Sequence, residues 1–269
     1  MSTLEFRDLS VSFGSGRSAT PAVRQVDLLV PTGTVVGLVG ESGSGKSTIA
    51  RAAVGLHEPS SGQILLDGVD IVRARGSNAR LRQTIQMVFQ DPFSCLDPRM
   101  TIGASIDEAL TVTERRTGSR SSSRERKART DELLSMVSLD PGRAASLPGG
   151  LSGGQRQRVA IARALAAEPA VLLADEITSA LDVSVQGAVL NLLMDIQRSH
   201  SLTVLFISHN LAVVRQVCDG VAVMSGGVIV EHGPVLDVLE RPQHAYTREL
   251  ISAVPRFGVP LTPRGGSTS

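Results

Sequence analysis

The sequence predicts an α/β fold, a mostly parallel sheet covered by helices and preceded by a strand-rich opening third. Three observations carry this. First, an apolar run, Thr34 to Val39, enters Gly40-Glu41-Ser42-Gly43-Ser44-Gly45-Lys46-Ser47-Thr48, and a helix-compatible run, Ile49 to Leu56, leaves it. Strand, glycine-rich loop and helix in that order form the setting of a phosphate-binding loop. Second, from residue 153 onward helical and strand patterns alternate, as in a helix-covered parallel sheet. Third, the opening third holds short β-type runs at hairpin-like spacing.

In chain order, residues 3–13 and 22–30 read as strands, with Gly14-Ser15-Gly16-Arg17-Ser18 as a loop between them. Strand 34–39 feeds the glycine loop, whose helix ends near Gly55, and Gly62 to Asp67 is a further short strand. Ile85 to Gln90 is an apolar strand ending on a polar residue, after which residues 102–112 and 123–138 read as helices. Helix 153–167, strand 170–174, helix 184–199, strand 203–207, helix 210–217 and strands near 221–224 and 227–231 complete the pattern. Residues 255–269 are rich in Pro, Gly, Ser and Thr, and 256–269 are expected to form a flexible tail.

A chain of 269 residues with 42% hydrophobic residues can bury a full core. A formal charge of +1 supplies no field for nucleic acid, and no nucleic-acid partner is expected. Residues 115–129 carry seven basic side chains with no aromatic among them, which reads as a solvated loop and helix face. Cys95 and Cys218 have no metal-ligand spacing and read as reduced, packed thiols. No apolar run approaches the roughly 20 residues that span a bilayer. The expectation is a soluble, cytosolic chain that serves a membrane only through another chain.

The chemistry begins at the glycine loop. Its glycines turn backbone N–H groups inward as a nest for phosphate oxygens. The helix starting near Lys46 adds the positive end of its dipole. Lys46 can reach the β- and γ-phosphates, and the Ser47 hydroxyl can hold Mg²⁺. Of 27 Lys and Arg residues only two are lysines, and one stands here, where a compact ammonium suits better than a planar fork. Ala170 to Ala174 is a buried-type strand ending in Asp175-Glu176; ligands of a parallel sheet sit at such carboxyl ends. Asp175 is placed to hold Mg²⁺ through water, and Glu176 to orient or deprotonate an attacking water. Ser152 is an N-cap for the helix that opens at Gly153-Gly154-Gln155, a second anion site whose glycines leave amides uncovered. His209 follows strand 203–207 and is expected to face the γ-phosphate; His57, His200, His232 and His244 have no such setting.

Together these stretches resemble the ATP-binding cassette (ABC) ATPases over residues 3–255. Gly40 to Thr48 is similar to the Walker A loop, Gln90 to the Q-loop glutamine and Leu151 to Gln155 to the signature sequence. Val171 to Glu176 is similar to Walker B, Ser179-Ala180-Leu181-Asp182 to the D-loop, His209 to the switch histidine and Phe13 to the aromatic that stacks on adenine. The resemblance implies a P-loop NTPase (RecA-like) core sheet with an antiparallel β subdomain and an inserted α-helical subdomain. Core and β subdomain are placed at 3–90 and 154–240, and the helical subdomain at about 91–153. It implies ATP and Mg²⁺ as ligands. Phe13, Gly40 to Thr48, Gln90, Ser152, Gly153, Gly154, Gln155, Asp182 and His209 would contact nucleotide; Ser47, Gln90 and Asp175 would serve the metal; Glu176, His209 and Lys46 would serve catalysis. Two cassettes would close head to tail, with Ser152 and Gly154 touching the γ-phosphate held by the other copy.

Gln90 to Thr101, Ser179 to Gln186 and Arg241 to Leu250 narrow the resemblance to the dipeptide/oligopeptide/nickel importer ATPases, the second of their paired cassettes. That implies two transmembrane permease subunits, a second ATPase subunit, an extracytoplasmic solute-binding protein and a place on the cytoplasmic face of the membrane. Phe93 to Arg99 would lie near the permease contact. The cargo would be short peptides, or a small solute such as nickel. The alternative is an accessory cassette of a soluble carbon–phosphorus lyase complex. Two departures stand out. Ile177 replaces a proline common after the catalytic glutamate, and no cysteine follows Cys218, so the iron–sulfur cluster of some relatives is not expected here.

Overall fold

The computed structural model describes residues 2–14, 19–74, 76–91 and 95–253. The expected tail, most of the 14–18 loop and Phe93 lie outside these residues.

β1 (Leu4–Phe13) and β2 (Thr20–Val30) form an antiparallel pair, Leu4 facing Val30 and Phe13 facing Thr20. β3 (Val35–Val39) then runs into the glycine loop and α1 (Lys46–Ala53). β4 (Ser61–Leu66) returns beside β1, and β5 (Val69–Asp70) closes a four-stranded antiparallel sheet in the order β2-β1-β4-β5. A 3₁₀ stretch, Gly76–Thr84, leads to β6 (Ile85–Val88). The helices α2 (Ile102–Thr117), α3 (Ser123–Met136) and α4 (Gly153–Ala166) come next.

The remainder alternates: β7 (Val171–Asp175), α5 (Val183–His200), β8 (Thr203–Ile207), α6 (Leu211–Val217) and β9 (Gly220–Ser225). β10 (Val228–Pro234), α7 (Val235–Glu240) and α8 (Ala245–Ser252) complete the order. The second sheet has six strands in the order β10-β9-β3-β8-β7-β6, parallel except for β10.

The parallel strands read as continuous apolar runs because both faces are covered. Along β7, Leu172 and Ala174 join one core with α2 to α7, while Val171 and Leu173 join the other, with α1 and the antiparallel sheet. β8 divides in the same way, Val204 and Phe206 to one side and Leu205 and Ile207 to the other. α1 is therefore held between two sheets, with Ile49, Ala50, Ala52 and Ala53 fully buried.

Two differences from the sequence reading concern where elements end. β6 stops at Val88, so Gln90 stands exposed beyond the strand. α2 runs to Thr117 rather than 112; Gly118, at φ 77°, ends it and donates to the Glu114 carbonyl. Only a residue that tolerates the left-handed region closes a helix this way. Arg115 and Arg116 thus fall in the last turn of α2, where cations suit the dipole. Three of the seven basic side chains are ion-paired on the helical surface: Arg126 with Asp107 at 2.9 Å, Lys127 with Asp131 at 2.8 Å and Arg129 with Glu132 at 2.6 Å. The 3₁₀ stretch, α7 and α8 are additional elements. Among the described residues no helix is long and apolar enough to cross a membrane.

Candidate active site

Adjacent strand ends build the site. β3, β8 and β7 lie side by side in the parallel sheet, so the loops at their carboxyl ends emerge on one edge. Ser208 N–H donates to the Leu38 carbonyl at 3.2 Å, and Glu176 N–H to the Ile207 carbonyl at 3.0 Å. These bonds tie the three strand ends together just where they turn into loops.

The glycine loop wraps the start of α1. Gly40 (φ 151°) and Gly45 (φ 106°) are both where a Cβ would strike backbone, 2.1 Å from the Met224 carbonyl and 2.5 Å from the Ala22 carbonyl respectively. Lys46 is buried, and its Nζ donates to Gly40 O at 2.8 Å, Glu41 O at 2.7 Å and Ser44 Oγ at 3.3 Å. All three ammonium hydrogens are thereby satisfied. Burial pushes the Lys46 pKa below its ordinary value, against the pull of Glu176, Asp175 and Glu41.

Ser47 Oγ donates to Asp175 Oδ1 at 2.9 Å, joining the loop to the end of β7 across 128 residues. Burial pushes the Asp175 carboxyl up; the Ser47 bond opposes the shift, and Glu176 adds to it. Glu176 comes next with φ 48°, a left-handed backbone that costs a non-glycine residue about 1 kcal/mol or more. It is held there by its bond to Ile207 and by Ser179, whose N–H and hydroxyl both donate to the Glu176 carbonyl, at 3.0 and 2.9 Å. Ile177, in the place of the proline, is buried at 1% exposure, so an apolar side chain anchors this turn. His209 Nδ1 lies 3.2 Å from Glu176 Oε1. A cleft of about 80 Å³ opens between Glu176, Ser179, Gln186 and His209, enough for a water molecule.

Lys46, Ser47, Asp175, Glu176 and His209 therefore converge. The sequence-derived positions outside the glycine loop are carried by other elements. Phe13 is 44% exposed, with the His57 ring edge-on at 4.9 Å. Asp182 is exposed at the N-terminus of α5, and Gln90 is exposed beyond β6. Ser152 caps α4 in a reciprocal box, Ser152 Oγ accepting from Gln155 N–H at 3.3 Å and Gln155 Oε1 from Ser152 N–H at 3.0 Å. Gly153 packs beside Leu181. Gly154 is buried rather than uncovered: a Cβ there would lie 2.3 Å from Val185 Cγ1 on α5.

That contact gives a first prediction. Gly154→Ala forces α4 from α5 and lowers stability by about 1–3 kcal/mol, the range for overpacking. Adding Val185→Ala restores most of the loss in thermal unfolding. A single variant that melts with the wild type would show that the helices yield freely.

Comparison with known proteins decides the family. Residues 23–179 match the model of the ABC transporter family. The chain belongs to that family. Residues 230–268 match a second model, the oligopeptide/dipeptide transporter C-terminal region. Among curated ABC relatives, the glutathione import ATP-binding protein GsiA of Pectobacterium atrosepticum is 50% identical over 87% of this chain; the chain spans 37% of that protein's length. A putative peptide import ATP-binding protein of Brucella ovis is 46% identical over 94% of the chain and 78% of its own length. A solved dimeric, post-hydrolysis structure of the ATP-binding cassette MJ0796, bound to ADP and Pi, superposes with a TM-score of 0.74 at 27% identity. The alignment covers 86% of this chain and 98% of that one. The P-loop NTPase core is thus an ABC ATPase cassette.

Two residues that the structure brings to the site's surroundings, Tyr246 and His57, have no role on sequence grounds. His57 has no local signal, whereas Tyr246 is the chain's one tyrosine and lies within Arg241 to Leu250.

Proposed function

We propose that this chain is the ATP-hydrolysing subunit of an ABC importer for short peptides, acting peripherally at the cytoplasmic face of the membrane. The bond between Ser47 and Asp175, with Glu176 and His209 beside it, carries the enzymatic part. It joins a phosphate loop to the carboxylates that a hydrolysis site needs. The match of residues 230–268 to an oligopeptide/dipeptide transporter region supports the transport part and favours it over a carbon–phosphorus lyase accessory role.

In this reading Lys46 leaves the loop carbonyls for the β- and γ-phosphate oxygens, with the loop N–H groups around it. Ser47 and Asp175 would hold Mg²⁺ through hydroxyl and carboxylate oxygens, the hard oxygen donors that this cation prefers. Mg²⁺ when bound neutralises charge on the phosphates. Glu176 orients water for in-line attack on the γ-phosphorus and accepts its proton. His209 holds the Glu176 carboxylate through Nδ1 and presents its other nitrogen towards the γ-phosphate. Water adds as the bond to ADP breaks, giving ADP and phosphate. Phe13 carries the adenine ring and Gln90 relays to the helical segment of about residues 91–153. Ser152 to Gln155 and Asp182 belong to the face presented to a second cassette.

The test is an affinity pull-down from gently solubilised membranes. Two multi-span permeases and a second cassette, with a solute-binding protein added in the full complex, are expected. A soluble phosphonate-cleaving set with no membrane chain would overturn the transport part.

A further inference from the structure

The C-terminal segment reaches back to the phosphate loop. The hydroxyl of Tyr246, on α8, accepts a hydrogen bond from Glu41 N–H at 3.1 Å, across 205 residues. The same peptide unit has its other end taken, because the Gly40 carbonyl accepts from Lys46 Nζ at 2.8 Å. A peptide is a rigid plane. Tyr246 and Lys46 therefore hold opposite edges of one plate, and rotating it breaks both bonds together. Gly40, pressed on the Met224 carbonyl, cannot retreat.

Tyr246 is itself held firmly. Its ring is half-buried against the larger core. His244 caps α8, Nδ1 accepting from Tyr246 N–H at 3.2 Å. On β10 the Glu231 carboxylate accepts from Gln243 N–H at 2.7 Å and His244 N–H at 3.0 Å. Partial burial opposes the ionised form of Glu231, but the Gln243 N–H, the Thr247 hydroxyl, the His244 N–H and the His244 ring together hold the carboxyl below its usual range. Arg248 Nη1 closes the lead-in by donating to the Pro242 and Gln243 carbonyls, at 3.3 and 3.2 Å. The segment from Arg241 to Arg248 is thus built as a clamp with one phenol at its tip.

We propose that Tyr246 is a positioning residue for the phosphate loop, and that through it the C-terminal helix registers nucleotide at Lys46. The proposal rests on the nucleotide reading above. The Tyr246 bond fixes the carbonyl against which the Lys46 ammonium rests. When the ammonium shifts to phosphate oxygens, the plate is left anchored by Tyr246 alone, and the environment of the phenol changes.

The molecule carries its own reporter. It has one tyrosine and no tryptophan, so its tyrosine emission comes from Tyr246 alone. The experiment titrates the full chain with ADP–Mg²⁺, by calorimetry and by tyrosine emission in parallel. Emission is expected to change and saturate with the calorimetric Kd. Tyr246→Phe, which keeps the ring, is expected to bind ADP about three- to tenfold more weakly, the loss of one hydrogen bond. KM for ATP should rise with kcat nearly unchanged, and the far-ultraviolet circular dichroism should stay that of the wild type. Glu231→Gln, which weakens the clamp without touching the loop, is expected to reduce the emission change. Calorimetric binding with no emission change, or wild-type affinity in Tyr246→Phe, overturns this proposal and leaves the nucleotide reading standing. No heat of binding in the wild type overturns both.

Discussion

Glu176→Gln is expected to lower ATP turnover by about 10²–10⁴-fold, the span that a positioned general base contributes. The amide keeps the shape of the carboxylate and can still bond His209 Nδ1, but it cannot accept a proton from water. The backbone should not change, because its left-handed turn is fixed by main-chain bonds to Ile207 and Ser179 rather than by the Glu176 side chain. Binding is then separated from chemistry. The variant should retain wild-type affinity for ATP and accumulate as an ATP-bound pair of cassettes. Two measurements check this, steady-state phosphate release and size-exclusion chromatography in excess ATP. Turnover within a few-fold of the wild type would remove Glu176 from the proton-transfer role. Free exchange to single cassettes would count against closure around ATP.

How far such a site can be read from sequence depends on the range of its interactions. Lys46, Ser47, Asp175, Glu176 and His209 are legible because each stands near the end of a strand whose apolar run is plain. In a parallel sheet those ends share one edge. The pairing of β7 with β8 agrees with the same alternation. Other features leave no local trace. The left-handed φ of Glu176 is imposed by its bond to Ile207 on the neighbouring strand, and no propensity of Glu or Ile177 announces it. Gly154 reads as an uncovered amide at a helix start, whereas Val185 on α5 dictates its lack of a side chain. α2 reads five residues short because its last turn, Thr113 to Thr117, is polar and charged. Its end is set by Gly118, and its buried Thr113 is satisfied by the Ala166 carbonyl of α4 at 3.1 Å. The bond from Glu41 to Tyr246 joins residues too far apart in sequence for any pattern to connect them. Periodicity reports what each element buries, and tertiary contacts decide where it stops and what it touches.

Lys46→Ala is expected to weaken nucleotide binding by about ten- to a hundredfold, the loss of a charge-assisted hydrogen bond of roughly 1.5–3 kcal/mol. Two opposed effects act on the fold. Burial disfavours the ammonium, so its removal relieves a desolvation cost. It also strips three acceptors, Gly40 O, Glu41 O and Ser44 Oγ, of their donor, and takes the Lys46 charge away from Asp175 and Glu176. These effects act in opposite directions, and thermal unfolding reads their balance; the fold, carried by its two apolar cores, should survive. The ligand sees no such offset: its phosphates lose the cation outright. Lys46→Arg should not rescue binding, because a planar guanidinium cannot rest among three acceptors that converge on one nitrogen. Calorimetry with ADP–Mg²⁺ on all three chains reads this directly. Unchanged affinity in Lys46→Ala would contradict the phosphate role of the loop, and full recovery in Lys46→Arg would show that charge alone, not the shape of the cradle, sets the requirement.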